Sequence, residues 1–173
     1  MLSLIAAAGA GLLLMVPSAE TGSTPKCLGK PATIVRGGGD DNINGTNGRD
    51  VIVAGNGEND IDGRRGNDLI CGGNDGDDIF GDQGNDRMAS GGSIDFIAGN
   101  KGDDVHIAGG GADQVDAVQK SADNDEDVVR GKNGDDFLDV MDGENNDRVA
   151  GGDGNNDECP ADPGDAKRPS CEI

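Results

Sequence analysis

Isolated apolar residues return on a fixed beat through an otherwise polar chain. Cut into nines from Arg36, the sequence reads RGGGDDNIN, GTNGRDVIV, AGNGENDID, GRRGNDLIC, GGNDGDDIF, GDQGNDRMA, SGGSIDFIA, GNKGDDVHI and AGGGADQVD. The eighth place holds Ile43, Ile52, Ile61, Ile70, Ile79, Met88, Ile97, His106 and Val115. The sixth holds Asp41, Asp50, Asn59, Asp68, Asp77, Asp86, Asp95, Asp104 and Asp113, and the fourth is Gly except at Asp75 and Ser93. Asp makes up 28 of the 173 residues, so eight Asp in nine sixth places reflects a repeat and not composition. The Gly-rich start of each block suits a tight turn, because glycine tolerates positive φ. A short strand closes the block, its middle side chain on one face and the neighbours on the other. The eighth-place residues therefore point inward and stack as a narrow core.

The pattern also doubles. Gly stands first in alternate blocks (Gly45, Gly63, Gly81, Gly99) and second in the others (Gly37, Gly55, Gly73, Gly91, Gly109). The unit is thus an 18-residue coil, with turns in two columns. One column, with Asp50, Asp68, Asp86 and Asp104, keeps Gly at place four throughout; the other has Asn59, Asp75 and Ser93 as departures. Residues 117–126 break the register by five, and Val140 and Met141 add two more. A second run carries Asp127, Asp136 and Asp147 at the sixth place. This divides the chain into 1–19, 20–35, nine repeats over 36–116, a break at 117–126, looser repeats over 127–158, and a tail, 159–173. The tail's three prolines argue against continuing the ladder and for a cap.

The pattern resembles the repeats-in-toxin (RTX) family of calcium-binding nonapeptides, G-G-x-G-x-D-x-U-x, across residues 36–116. That resemblance implies an all-β fold, a parallel β-roll of six-residue turns and three-residue strands, with calcium between stacked turns. It makes metal ligands of Asp41, Asp50, Asn59, Asp68, Asp77, Asp86, Asp95, Asp104 and Asp113, and of Asp127, Asp136 and Asp147 in the second run. The physics is compatible: parallel strands ~4.8 Å apart would crowd bare carboxylates intolerably. Calcium accepts six to eight oxygens at about 2.3–2.6 Å and suits such a slot. Binding is then part of folding. Four turns in one column and five in the other leave up to seven gaps for ions. Asn59 brings a carbonyl but no charge, so its column should bind more weakly, and Asp75 is a candidate substitute ligand. The lead-in Cys27-Leu28-Gly29-Lys30-Pro31-Ala32-Thr33-Ile34-Val35 is similar to that of small exported actinobacterial calcium-binding proteins.

Charge agrees with this reading. The chain has 34 Asp and Glu against 14 Lys and Arg, a formal net charge of −20, and three Phe as its only aromatics. Such a composition is near the disordered class unless a cation offsets it. The same field repels phosphates, which argues against nucleic acid. The uncharged stretch MLSLIAAAGAGLLLMVPSA fits a secretory signal cleaved near Ser18 or Ala19, with a true start upstream to supply the missing basic residue. It is short for a membrane span of ~20 residues, so the mature chain is expected to have none. In an exported chain, Cys27, Cys71, Cys159 and Cys171 read as disulfides, front with front and end with end as the most local pairing.

Only residues 20–35 lie between that signal and the repeats, and neither H-E-x-x-H nor G-x-S-x-G occurs. His106, the sole histidine, reads as a core substitution. The expectation is a secreted, non-enzymatic calcium-binding protein. The alternative is a calcium-rigidified scaffold for a protein or cell-wall partner; an ice-binding roll lacks the required Thr or Asn lattice. One outer face, with Val51, Val53, Leu69, Cys71, Val105 and Ile107, is expected to be partly covered by Leu28, Ile34 and Val35 through a Cys27–Cys71 bridge.

Overall fold

The computed structural model describes residues 23–118, 125–143, 146–167, and 170 and 171. The expected signal at 1–19 lies outside the described residues, as does part of the register break. An antiparallel pair opens the chain, β1 (Lys26–Cys27) with β2 (Lys30–Pro31). Everything after it is parallel. Eight strands form one sheet in chain order: β3 (Ile34–Val35), β5 (Val51–Val53), β7 (Leu69–Gly73), β9 (Arg87–Gly92), β11 (Val105–Gly110), β13 (Val128–Asn133), β15 (Arg148–Gly152) and β16 (Ala166–Lys167). Six form the other: β4 (Asn42–Asn44), β6 (Asp60–Asp62), β8 (Asp78–Gln83), β10 (Phe96–Lys101), β12 (Gln114–Asp116) and β14 (Phe137–Asp139). No helix occurs among the described residues. The chain is a parallel β-roll that alternates between two facing sheets.

Register follows the doubled period: Ile52 pairs with Ile70, Ile70 with Met88, and Ile61 with Ile79. The eighth-place side chains are all buried, and all but His106 join one cluster with Ala54, Ala108, Val129, Leu138, Val140 and Val149. Burying each aliphatic is worth about 1.5–3 kcal/mol, so stability accumulates coil by coil along a ladder one side chain wide. The five-residue insertion does not end the roll. β11 pairs with β13 and β12 with β14, so Val129 stacks on His106 and Leu138 on Val115.

Two expectations need correction. The tail does join the ladder: β16 pairs with β15, and bridges tie Phe137 to Glu158 and Val140 to Ala161. Its prolines fall at 160, 163 and 169. The paired residues lie between or before them, so their N–H groups stay available. The outer face is covered only around Val51 and Leu69, and by other residues. Cys27 bonds to Cys71 and is buried with Val51 and Leu69, against Ala32, Val53 and Cys71. Leu28 and Val35 remain exposed, and Ile34 packs against the main core instead. Alternation along so short a strand sends Ile34 inward and Val35 outward, and Leu28 sits at positive φ in the β1–β2 turn. A second bridge, Cys159–Cys171, closes the far end, with Cys159 in the core.

Candidate metal centre

Each turn ends at its sixth-place residue just before the strand, so the same geometry repeats at every coil. In the glycine-regular column the carboxylate reaches back one coil. Asp68 Oδ1 accepts the Asp50 N–H at 2.7 Å, Asp86 Oδ1 that of Asp68 at 2.7 Å, and Asp104 Oδ1 that of Asp86 at 2.7 Å. The chain of bonds crosses the insertion, with Asp127 accepting from Asp104 and Asp147 from Asp127, each at 2.8 Å. The other column does likewise but more loosely, from 2.8 Å between Asp77 N–H and Asp95 to 3.1 Å between Asp41 N–H and Asn59.

One oxygen of each carboxylate is thereby spent on the backbone. The other is not. Oδ2 of Asp68, Asp77, Asp86, Asp95, Asp104, Asp113, Asp136, Asp147 and Asp157 is buried with no hydrogen-bond partner. A buried carboxylate oxygen left this way costs several kcal/mol unless the group is protonated or meets a cation. Its pKa responds accordingly, by desolvation first and neighbouring carboxylates after it. Asp68 and Asp77 rise to about 6, Asp86 and Asp113 to about 7, and Asp104, deep in mid-roll, to about 9.

Where glycine stands at place one, a side chain would collide with these oxygens. A Cβ on Gly81 would sit 2.5 Å from Asp86 Oδ2 and 2.9 Å from the Gly99 carbonyl oxygen of the next coil. One on Gly63 would sit 3.0 Å from Asp68 Oδ2 and 2.9 Å from the Gly81 carbonyl. Glycine at place one therefore leaves a cradle lined by carboxylate and carbonyl oxygens. That donor set fits a hard divalent cation. In the other column Gly72 keeps the same arrangement, its Cβ position falling against Asp77 Oδ2 and 2.7 Å from the Ser90 carbonyl oxygen, whereas Ala54, Ser90 and Ala108 stand at place one in other blocks.

The expected residues divide by geometry. Asn59 is buried and fully engaged: its Oδ1 accepts from Asp41, and its amide donates to Gly57 and Asp77. It closes one carboxylate position without leaving an orphan. Asp50, at the N-terminal end, has its Oδ2 capped by the Thr46 N–H at 2.7 Å and hydroxyl at 2.9 Å. Asp41 is only half-buried at the edge. Asp75 turns outward to accept the Gly57 N–H at 2.8 Å, which leaves it poorly placed as a substitute ligand. Sequence reading missed Asp157, which is fully buried and accepts the Asp136 N–H at 3.1 Å. The signal was present: in GDGNNDECP, Asp157 is sixth and Cys159 eighth, but a cysteine stands at the beat in place of an aliphatic residue. Among the described residues no three His, Cys, Asp or Glu side chains converge, so any cation held here needs backbone oxygen to complete its coordination.

A parallel roll with two columns of half-satisfied carboxylates, several of them beside a glycine cradle, defines a cation-binding solenoid. The model of the RTX calcium-binding nonapeptide repeat (4 copies) matches residues 36–70, 72–88 and 80–115. Residues 36–115 carry the repeats of that family, and the fold they build is that of a calcium-binding β-roll. Neither the search of curated proteins nor that of solved structures found a match. Among the described residues no helix is long and apolar enough to cross a membrane.

Proposed function

We propose that the protein is an extracellular, non-enzymatic calcium binder whose folding is coupled to the ion. The observation that carries this is the row of buried, partnerless Oδ2 atoms opposite next-coil carbonyls. The ligand side chains are Asp68, Asp77, Asp86, Asp95, Asp104, Asp113, Asp127, Asp136 and Asp147, extended to Asp157, whereas Asp50 and Asn59 are spent on hydrogen bonds and Asp41 lies at the edge. Calcium supplies the positive charge that lets these carboxylates stay ionised at a spacing they otherwise could not hold. The chain does the rest. Oδ1 pins each turn to the coil before it, Oδ2 and the carbonyls present oxygen to the cradle, and the eighth-place ladder excludes water beneath. The glycine-regular column is the tighter one, and Asn59 and the place-one Ala and Ser side chains weaken the other. Two disulfides support an oxidising, extracellular setting.

The test is calcium titration of metal-free protein by far-UV circular dichroism and calorimetry. A cooperative gain of β signal with several equivalents bound is expected. A chain already compact in excess chelator at neutral pH would refute the coupling.

A further inference from the structure

His106 interrupts the aliphatic ladder, and it is the chain's sole histidine. It is fully buried, and neither Nδ1 nor Nε2 has a hydrogen-bond partner. Its orientation is specific. Nε2 lies 2.7 Å from where a Cβ on Gly99 would stand, and Asp104 Oδ2 lies closer still to the same point. Asp104 Oδ2 is itself buried and partnerless. Two coils earlier, the point above Gly63 is bordered by Asp68 Oδ2 at 3.0 Å and by the Ile70 Cδ1 methyl at 3.1 Å. Histidine has thus placed a nitrogen where the ladder elsewhere places a methyl, beside an unchanged carboxylate. In a neutral imidazole one ring nitrogen carries a free lone pair.

We propose that Asp104 Oδ2 and His106 Nε2 form a mixed oxygen–nitrogen site for a divalent transition metal of the zinc class. Imidazole suits zinc, copper, iron and nickel, whereas calcium takes oxygen, so this coil differs in metal preference from the others. The absence of a side chain on Gly99 lets the carboxylate and the imidazole converge at one point. With two side-chain ligands, the remaining positions fall to backbone oxygen or water. The site goes beyond the calcium reading and needs only a formed roll.

A single histidine makes the test unambiguous. Calcium-folded protein, verified by circular dichroism, is titrated with Zn²⁺ while the imidazole ¹⁵N resonances are followed, and in parallel with Co²⁺ by visible absorption. One equivalent of Zn²⁺ should shift the Nε2 resonance, and Co²⁺ should give a visible band. His106→Val restores the aliphatic ladder; it should still fold with calcium but lose both signals. An imidazole unmoved by Zn²⁺, or Zn²⁺ binding undiminished in His106→Val, overturns the proposal. If calcium gives no β signal, the calcium reading fails, and the same imidazole titration on the protein as purified still decides this one.

Discussion

Replacing Asp86 with Asn separates the two roles of its carboxylate. The amide oxygen can still accept the Asp68 N–H, a bond of 2.7 Å in the wild type. The partnerless Oδ2 becomes an NH₂ group, with the Gly99 carbonyl nearby as an acceptor. A calcium ion at a hundredfold excess over its Kd contributes about 2.7 kcal/mol. Asp86 stands between two gaps of its column, so losing its charge should lower stability in excess calcium by up to ~5 kcal/mol. Metal-free, the sign differs. Asp86 has its pKa pushed up to about 7, chiefly by burial, so the folded state holds it protonated and resembling Asn already. In chelator near the ordinary carboxylate pKa, Asp86→Asn should therefore change stability little. Ile79→Ala is the contrast: it hollows a fully buried position and should cost about 2–5 kcal/mol with or without calcium. Asn59→Ala, in the weaker column, should affect calcium affinity less than Asp86→Asn. Urea unfolding in calcium and in chelator measures all three. An Asp86→Asn loss as large in acidic chelator as in calcium would show that the residue serves packing and not the ion.

Three further outcomes follow from the same geometry. Without calcium the raised carboxylate pKa values make the folded state bind more protons than the unfolded one, so stability falls as pH rises above the ordinary aspartate value of 3.8 and is lost through about 6 to 9; acidifying the chelated chain should restore β signal, and a chain that unfolds further on acidification contradicts this. Gly81→Ala, whose Cβ meets Asp86 Oδ2 and the Gly99 carbonyl, should remove calcium from that cradle, whereas Gly48→Ala, with nothing within 4 Å, should not; calorimetric stoichiometry distinguishes them. Cys71→Ala should cost about 2–4 kcal/mol and loosen the cover over Val51 and Leu69, read as faster hydrogen exchange in β5 and β7 relative to β13.

Local repetition made most of the fold legible. A nine-residue period with Gly in the turn, Asp at six and an aliphatic at eight states where the chain bends, which side chain faces inward and which carboxylates share a column. These are near-neighbour properties, and the 18-residue doubling is visible in the place of a single glycine. What the period could not state was decided by long-range packing. That Asp127 stacks on Asp104 across the insertion depends on β13 pairing with β11, a contact no local signal encodes. Asp157 and Cys159 join the columns because the tail adds to the sheets, where the apolar beat has already faded. Which oxygen of each carboxylate is spent on the backbone, and which is left facing a glycine cradle, follows from side-chain rotamers fixed by the neighbouring coil. For His106, the sequence showed only a histidine at an inward place. Its nitrogen comes to lie beside Asp104 because the turn folds Gly99 back over the strand, and only the closed coil brings those three residues to one point.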